Sequence, residues 1–373
     1  MDERIRTLFP VTREYIYLNH AAIGPLSTRV VEAMRAYLTE ASREGSLKWP
    51  IWMKEAEGAR QRAAQLIGAK SHEIAFMRNT SDGLAAIANG LDWRPGDNVV
   101  TCDCEFPANI YPWMRLASRG VELRLAHERQ GRIDLDDLFA LVDERTRVIT
   151  VSFVQFGSGF RMDLGAIGAF CRERRILFVV DAIQGLGALS LDVHRDGIDA
   201  LSADAHKFLL GPEGIAILFI SERLLDRIEP TVVGWTSVKY DFDRLLDYQL
   251  EYRDGAARFE PGSLNTIGVR GLRAALDLLL DTGIERIESY LLRLTEYLAE
   301  GLRAKGYHLV SSRRPGEASA IVCCTHERYR ASELCQRLAE RRIITSHRLG
   351  RLRISPHFYN TREEIDALLD TLP

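Results

Sequence analysis

The apolar positions of the chain change period along its length, and that change predicts the architecture. From Thr28 to Glu44 the apolar residues Val30, Val31, Met34 and Leu38 recur at helical spacing, and the run stops before Gly45. From about residue 73 onward, short β-rich runs alternate with helical stretches. Ile74–Met77 leads into a helix predicted over Leu84–Leu91. The turn Arg94-Pro95-Gly96-Asp97 precedes a strand at Asn98–Thr101, and Val148–Val151 precedes a helix over Leu164–Arg174. Ile176–Val180 ends in Asp181, and Ile215–Ile220 follows Gly211-Pro212-Glu213-Gly214. Such alternation predicts an α/β fold, a mostly parallel sheet covered by helices on both faces. Beyond Asn265, long helical segments (Gly271–Leu280, Ile284–Ala304) and a few short strands predict a smaller α+β unit. The expected division is a large domain over residues 15–250 and a small one over 251–373.

Composition narrows the class. A length of 373 residues agrees with two domains, and 46% hydrophobic with 27% charged residues is the balance of a soluble globular protein. A net charge of −3 gives no reason to expect nucleic acid or an anionic membrane as partner. No apolar stretch follows Met1-Asp2-Glu3-Arg4, and no segment approaches the ~18 uninterrupted apolar residues of a membrane span, so a cytoplasmic location is expected. The six cysteines lack zinc-ligand spacing and are expected as free thiols. Cys102-Asp103-Cys104 follows an apolar strand, which favours buried thiols over a metal or redox pair.

The candidate chemistry centres on Lys207, in Ser202-Ala203-Asp204-Ala205-His206-Lys207-Phe208, between two strand-like runs. An acid closing a strand (Asp181) and a lysine farther along are the two groups that pyridoxal phosphate chemistry requires. The lysine amine forms a Schiff base with the cofactor aldehyde, and the carboxylate keeps the pyridine nitrogen protonated. Arg78-Asn79-Thr80-Ser81-Asp82-Gly83 follows a strand and opens a helix. Its N–H groups and hydroxyls are placed either to receive a phosphate or simply to cap the helix.

These residues, with Tyr17-Leu18-Asn19-His20 at one end and Tyr359-Asn360-Thr361 at the other, resemble the class V aminotransferase family of fold-type I pyridoxal phosphate enzymes, in the cysteine desulfurase and isopenicillin N epimerase-like branch. The resemblance implies that residues 1–14 pack with the C-terminal domain. It implies phosphate binding by Thr80 and Ser81, ring stacking by Phe106 and a hydrogen bond between Gln184 and the phenolic oxygen. His206 corresponds to a phosphate-contacting residue. Where many relatives have a phosphate-binding serine this chain has Asp204, which leaves Ser202 as a substitute contact. Ser263 corresponds to a residue that reaches the neighbouring subunit's phosphate, so a homodimer with sites completed across the interface is expected. Phe106 replaces the histidine usual in desulfurases; it can stack but cannot carry a proton.

For the substrate, the resemblance gives Arg353 the α-carboxylate of an amino acid, a role that suits a planar two-pronged guanidinium. The alternation Leu352-Arg353-Ile354 reads as a strand, with Arg351 as a solvated neighbour. His20 borders the substrate pocket in the epimerase-like branch and is either an acid/base group or a packed histidine. The segment Thr345–Gly350 lacks the desulfurase loop cysteine, and Cys335 reads as a structural thiol on a helix. The expected activity is therefore that of an aminotransferase. A cysteine or cystine C–S lyase or other β-eliminating lyase, and an amino-acid epimerase, are the alternatives, and a non-catalytic regulator is the outsider.

Overall fold

The short β-rich runs assemble as predicted into one large sheet. The computed structural model describes residues 3–373. After a two-residue strand β1 (Ile16–Tyr17) come β2 (Ile74–Met77), β3 (Asn98–Cys102), β4 (Glu122–Ala126), β5 (Thr146–Ser152), β6 (Leu177–Asp181), β7 (Ala200–Asp204) and β8 (Ala216–Ile220). Strands β2 to β8 form a seven-stranded sheet in the order β2-β8-β7-β6-β5-β3-β4. Neighbours from β7 through to β4 pair parallel, while β8 is antiparallel to both β7 and β2. Strands β3, β6, β7 and β8 are buried along their whole length, which explains why β6 and β8 read as apolar runs rather than alternating ones.

The helix predicted over Leu164–Arg174 has those limits. Asp163 accepts from the Ala166 N–H at its start, and Arg175 adopts the left-handed conformation at its end. The helix Thr80–Gly90 starts earlier than the apolar spacing alone indicated, because Asn79 caps it by accepting from the Asp82 N–H.

The C-terminal strands are β9 (His308–Leu309), β10 (Val322–Thr325), β11 (Ile343–Ile344), β12 (Ser346–Arg348) and β13 (Arg351–Ile354). Four of them form an antiparallel sheet in the order β12-β13-β10-β9, and β11 pairs parallel with β1. Phe9 stacks on Tyr359 with ring centroids 3.9 Å apart, and Leu18 joins a core cluster with Leu298, Leu334 and Leu352. The N-terminal segment thus belongs with the C-terminal strands, and β1 and Leu18 extend that association beyond residue 14. The helix Thr266–Thr282 packs on the helices Thr28–Glu44 and Trp49–Ile67, so Leu272 and Leu276 share a core with Ala59 and Ala63.

One buried ion pair fixes a loop that matters for the site. Arg60 donates to both carboxylate oxygens of Glu260 (2.9 and 3.1 Å) and to the Ile74 carbonyl, while Glu260 also accepts from the Phe76 N–H. The loop carrying Ser263 is thereby tied to β2. Removing one member of a buried pair of this kind typically costs about 3–5 kcal/mol.

Candidate active site

Ligands of open α/β sheets gather outside the carboxyl ends of the strands, and here those ends are acidic. Asp181 closes β6 and stands in register with Ser202 on β7. Asp204 closes β7, and His206 and Lys207 follow in the next turn. That turn is clamped by the N-terminal segment. The Gly24 N–H donates to the His206 carbonyl at 2.6 Å, and a Cβ on Gly24 would stand 2.3 Å from the Lys207 carbonyl oxygen, a spacing only glycine permits.

Burial sets the charge state of both principal groups. Lys207 is buried, and desolvation pulls its amine down to about 8. Asp181 opposes that shift, while the positive charges of Arg353 and Arg348 add to it. Burial pushes the Asp181 carboxyl up to about 7. The Ile183 N–H at 3.1 Å and Lys207 work against that rise, and Glu105 adds to it.

Glu105 was not singled out from the sequence. It is buried and accepts from the Ser152 N–H (2.7 Å), Ser152 Oγ (2.5 Å), Gln155 Nε2 (2.6 Å) and Asn109 Nδ2 (3.0 Å). Asn109 Oδ1 in turn accepts from Thr150 Oγ1 and Trp113 Nε1. This network holds the turn that presents Phe106. The ring of Phe106 lies 5.5 Å from Lys207 Nζ, meets Phe156 edge-to-face at 5.2 Å, and is 41% exposed, which leaves it a free face. An acid placed between an apolar strand and Pro-Ala-Asn was the available signal for this network.

The expected phosphate contacts separate into two groups. Thr80 and Ser81 open the helix Thr80–Gly90, ahead of its first intrahelical donors. The Thr80 hydroxyl already accepts from the Asp204 N–H (2.9 Å), whereas Ser81 is exposed. His206 Nδ1 lies 2.8 Å from Oδ1 of Asp204, the residue that replaces the family's serine. Ser202 is drawn away from this end. It is fully buried and donates to the Thr80 carbonyl at 3.1 Å, and its Oγ stands 2.3 Å from where a Cβ on Gly83 would be. Ser263 is exposed on a groove of about 520 Å³ that Arg78, Asp82 and Val232 also line.

His20 is fully buried with both ring nitrogens engaged. Nδ1 donates to the Ser355 carbonyl (2.9 Å), which leaves Nε2 to accept from the Tyr359 hydroxyl (2.7 Å). Burial, then the neighbouring His357, hold its pKa well below the usual histidine range. In this arrangement it is a neutral packed histidine with no nitrogen to offer a substrate. Gln184 Nε2 donates to the Ala21 carbonyl (3.1 Å), and Gln184 Oε1 is buried without a donor.

At the opposite wall, Arg353 projects from β13 while Leu352 joins the apolar cluster beneath, as the alternation predicted. It is 1% exposed, donates from Nε to Ser346 Oγ and from Nη1 to the Phe156 carbonyl (both 3.2 Å), and has Nη2 buried without an acceptor. Arg351 is held by the Gly157 carbonyl (3.0 Å) and Glu128 (2.8 Å), an engaged residue rather than a solvated one. Cys335 is half-buried on the helix Ala331–Glu340, with Thr345 Oγ1 3.6 Å from its sulfur, and burial raises its thiol.

This arrangement fits pyridoxal phosphate. A buried carboxyl held above its usual range is stabilised by a cationic ring nitrogen, and Phe106 offers a ring face beside Lys207. The start of the helix Thr80–Gly90 and His206 would receive the cofactor's phosphate. Gln184 Oε1 and Arg353 Nη2 are polar atoms lacking partners. Among the described residues no group of three or more His, Cys, Asp or Glu side chains is gathered as metal ligands would be, and no helix is long and apolar enough to cross a membrane.

Comparison with known proteins points the same way. The family model for aminotransferase class V matches residues 16–368. A probable cysteine desulfurase of Methanothermobacter thermautotrophicus is 32% identical, with 99% of this chain and 97% of the relative covered. An uncharacterised aminotransferase of Bacillus subtilis, YcbU, is 28% identical with 100% and 97% covered. Among solved structures, the cystine C–S lyase C-DES in complex with its product cysteine persulfide superposes with a TM-score of 0.91 at 26% identity, covering 97% of this chain and 98% of that one. An apo cysteine desulfurase from Thermococcus onnurineus NA1 superposes with a TM-score of 0.89 at 27% identity, covering 99% and 96%.

Proposed function

We propose that this chain, which belongs to the pyridoxal phosphate-dependent class V aminotransferase family, is an aminotransferase that uses Lys207 as its one proton-transferring group. The carrying observation is the state of the groups around Lys207. The amine is buried and depressed toward neutrality, Phe106 has no proton to exchange, and both nitrogens of His20 are engaged. When bound, the cofactor supplies an electron sink that loosens the bonds at the substrate's α-carbon. Lys207 takes the α-proton and returns it elsewhere on the same face, the sequence transamination needs. Asp181 holds its charge against the ring nitrogen in a dry site, where such a pair is strongest. Arg353 orients the substrate through its α-carboxylate. The Thr80–Ser81 helix start and His206 receive the phosphate.

An epimerase requires a second acid/base group on the opposite face, and His20 is not free to serve. Persulfide formation on a protein thiol requires a mobile cysteine near Arg353, where this chain has a tight hairpin, and Cys335 is held as a neutral thiol. Elimination without a protein thiol remains the second reading. The likeness to C-DES favours it, and the same single lysine serves it.

A homodimer is part of this proposal. Trp235, Phe242, Leu246, Tyr248 and Leu250 are large apolar side chains exposed along one stretch, next to the groove that carries Ser263.

The test is to supply holoenzyme with a panel of amino acids and an acceptor keto acid. Transamination yields the matching keto acid from each substrate and moves the amino group to the acceptor. Pyruvate, ammonia and a persulfide released from cystine, with no amino transfer, would replace the first reading by the second. In either case a Cys335→Ala variant is expected to keep its turnover.

A further inference from the structure

Three guanidinium groups share one face of the β12–β13 hairpin. The register opposes Ser346 to Arg353 and Arg348 to Arg351, and directly opposed residues of an antiparallel pair project to the same side. Leu352 and Ile354 occupy the other side, within the apolar core. Only one of the three arginines has an anion, since Arg351 pairs with Glu128 at 2.8 Å. Among the described residues no carboxylate lies within ion-pair distance of Arg353 or Arg348. Cys323, opposite Arg353 on β10, is not a counter-charge, because burial raises its thiol to about 11. Arg348 is exposed and donates to the carbonyl of its own neighbour His347 (2.7 Å). One anion, the α-carboxylate, satisfies Arg353. A second positive charge remains.

The hairpin is aimed at the reacting centre by contacts at its tip. Leu349 and Gly350 turn it with φ of 51° and 74°, and Leu349 Cδ1 lies 2.8 Å from where a Cβ on Gly157 would stand. Gly157 adjoins Phe156, whose carbonyl holds Arg353 and whose ring abuts Phe106 beside Lys207. The charges of both Arg353 and Arg348 are felt at the Lys207 amine.

We propose that Arg348 is a specificity-determining residue that receives a second carboxylate, at the distal end of the substrate, so that the substrate class is an amino acid carrying two carboxylates. This inference rests on the reading of Lys207 and Arg353 as an amino acid site. The distal carboxylate has two sources, a short acidic side chain or the far half of cystine, and they differ in its distance from the first.

The experiment measures, by calorimetry on the cofactor-loaded protein, the binding of butyrate, succinate, glutarate and suberate. It compares the native sequence with Arg348→Ala, Arg348→Lys and Arg353→Ala. The native protein is expected to bind one dicarboxylate roughly tenfold more tightly than butyrate, about 1.4 kcal/mol by the affinity relation. Arg348→Ala should erase that preference while leaving butyrate unchanged, and Arg348→Lys should restore part of it. A preference for succinate or glutarate identifies a short acidic side chain, and one for suberate identifies the cystine-like spacing. If Arg348→Ala leaves the dicarboxylate preference intact, or no preference exists, Arg348 is an ordinary solvated arginine and the inference falls. Arg353→Ala is the separate control. It should weaken all four ligands, and failure to do so would overturn the amino acid site itself rather than the role of Arg348.

Discussion

The two walls of the site are built on opposite electrostatic principles. At the strand ends, the buried carboxyl of Asp181 and the buried amine of Lys207 oppose each other, while the buried Glu105 is held by neutral donors. Asp181 and Lys207 move each other's pKa toward the charged forms, and Asp204 lies 2.8 Å from His206. Across the site, on the hairpin, positive charge is left over, with one carboxylate for three arginines. Of the two arginines without a carboxylate only Arg353 is buried, where an unpaired charge is costly unless a ligand completes it, while Arg348 stands exposed in solvent beside it. The difference teaches which wall holds what. Under the proposed function, the compensated wall serves a cofactor that stays, and the uncompensated wall anions that come and go.

Removing Lys207 breaks the compensated wall most severely. Lys207→Ala is expected to lower turnover by at least ~10³-fold, since it removes the single proton-transferring group. After borohydride treatment the cofactor should no longer remain attached to the protein. Retained attachment on that variant would assign the role to another lysine. Asp181→Ala comes next, with an expected loss of ~10²–10³-fold in a folded protein. Near-normal turnover there would remove Asp181 from the mechanism.

The uncompensated wall is broken at Arg353. Loss of one partner from a desolvated charge pair costs about 2–5 kcal/mol, so Arg353→Ala should weaken amino acid binding at least roughly tenfold. Arg351→Ala should change affinity far less and act chiefly on stability, because its bonds run to Glu128 and Gly157. Titration of substrate binding together with thermal unfolding of both variants separates the two. Equal losses of affinity would mean that both arginines meet the substrate.

These two walls were not equally legible in the sequence. The compensated one is local: a buried strand announces itself by its apolar run, and Asp181, Asp204, His206 and Lys207 lie at or just past strand ends. Arg353 was legible because the Leu352-Arg353-Ile354 alternation fixes its side of β13. What stayed hidden depends on pairing between distant segments. Both ring nitrogens of His20 are occupied by Ser355 and Tyr359, residues more than 300 positions away that lie beside it because Asn19 bridges to Ser355. Ser202 is spent on Thr80 because the helix Thr80–Gly90 crosses over β7. The shared face of Arg348, Arg351 and Arg353 exists only through the register of β12 with β13. Glu105 gathers donors from Asn109, Ser152 and Gln155, an arrangement no spacing rule describes.

The finest comparison is made at the amine where both walls act. The free Lys207 amine is held at about 8, below the ordinary lysine value of about 10.4, so its neutral fraction should rise from roughly a tenth at pH 7 to about nine-tenths at pH 9. The neutral amine is the nucleophile, so the rate of cofactor uptake by apo protein should climb over that interval and then level. Asp181 favours the charged amine, and its loss in Asp181→Ala should move the midpoint to lower pH. Arg353 and Arg348 disfavour the charged amine, so Arg353→Ala and Arg348→Ala should each move it higher, Arg348→Ala by the smaller step. Stopped-flow absorbance across pH 6 to 10 would read all four midpoints. Opposite signs for the acid and the arginines would establish that one lysine feels both walls. A wild-type midpoint near 10, unmoved by any of the three substitutions, would mean that the amine is solvated and that neither wall controls it.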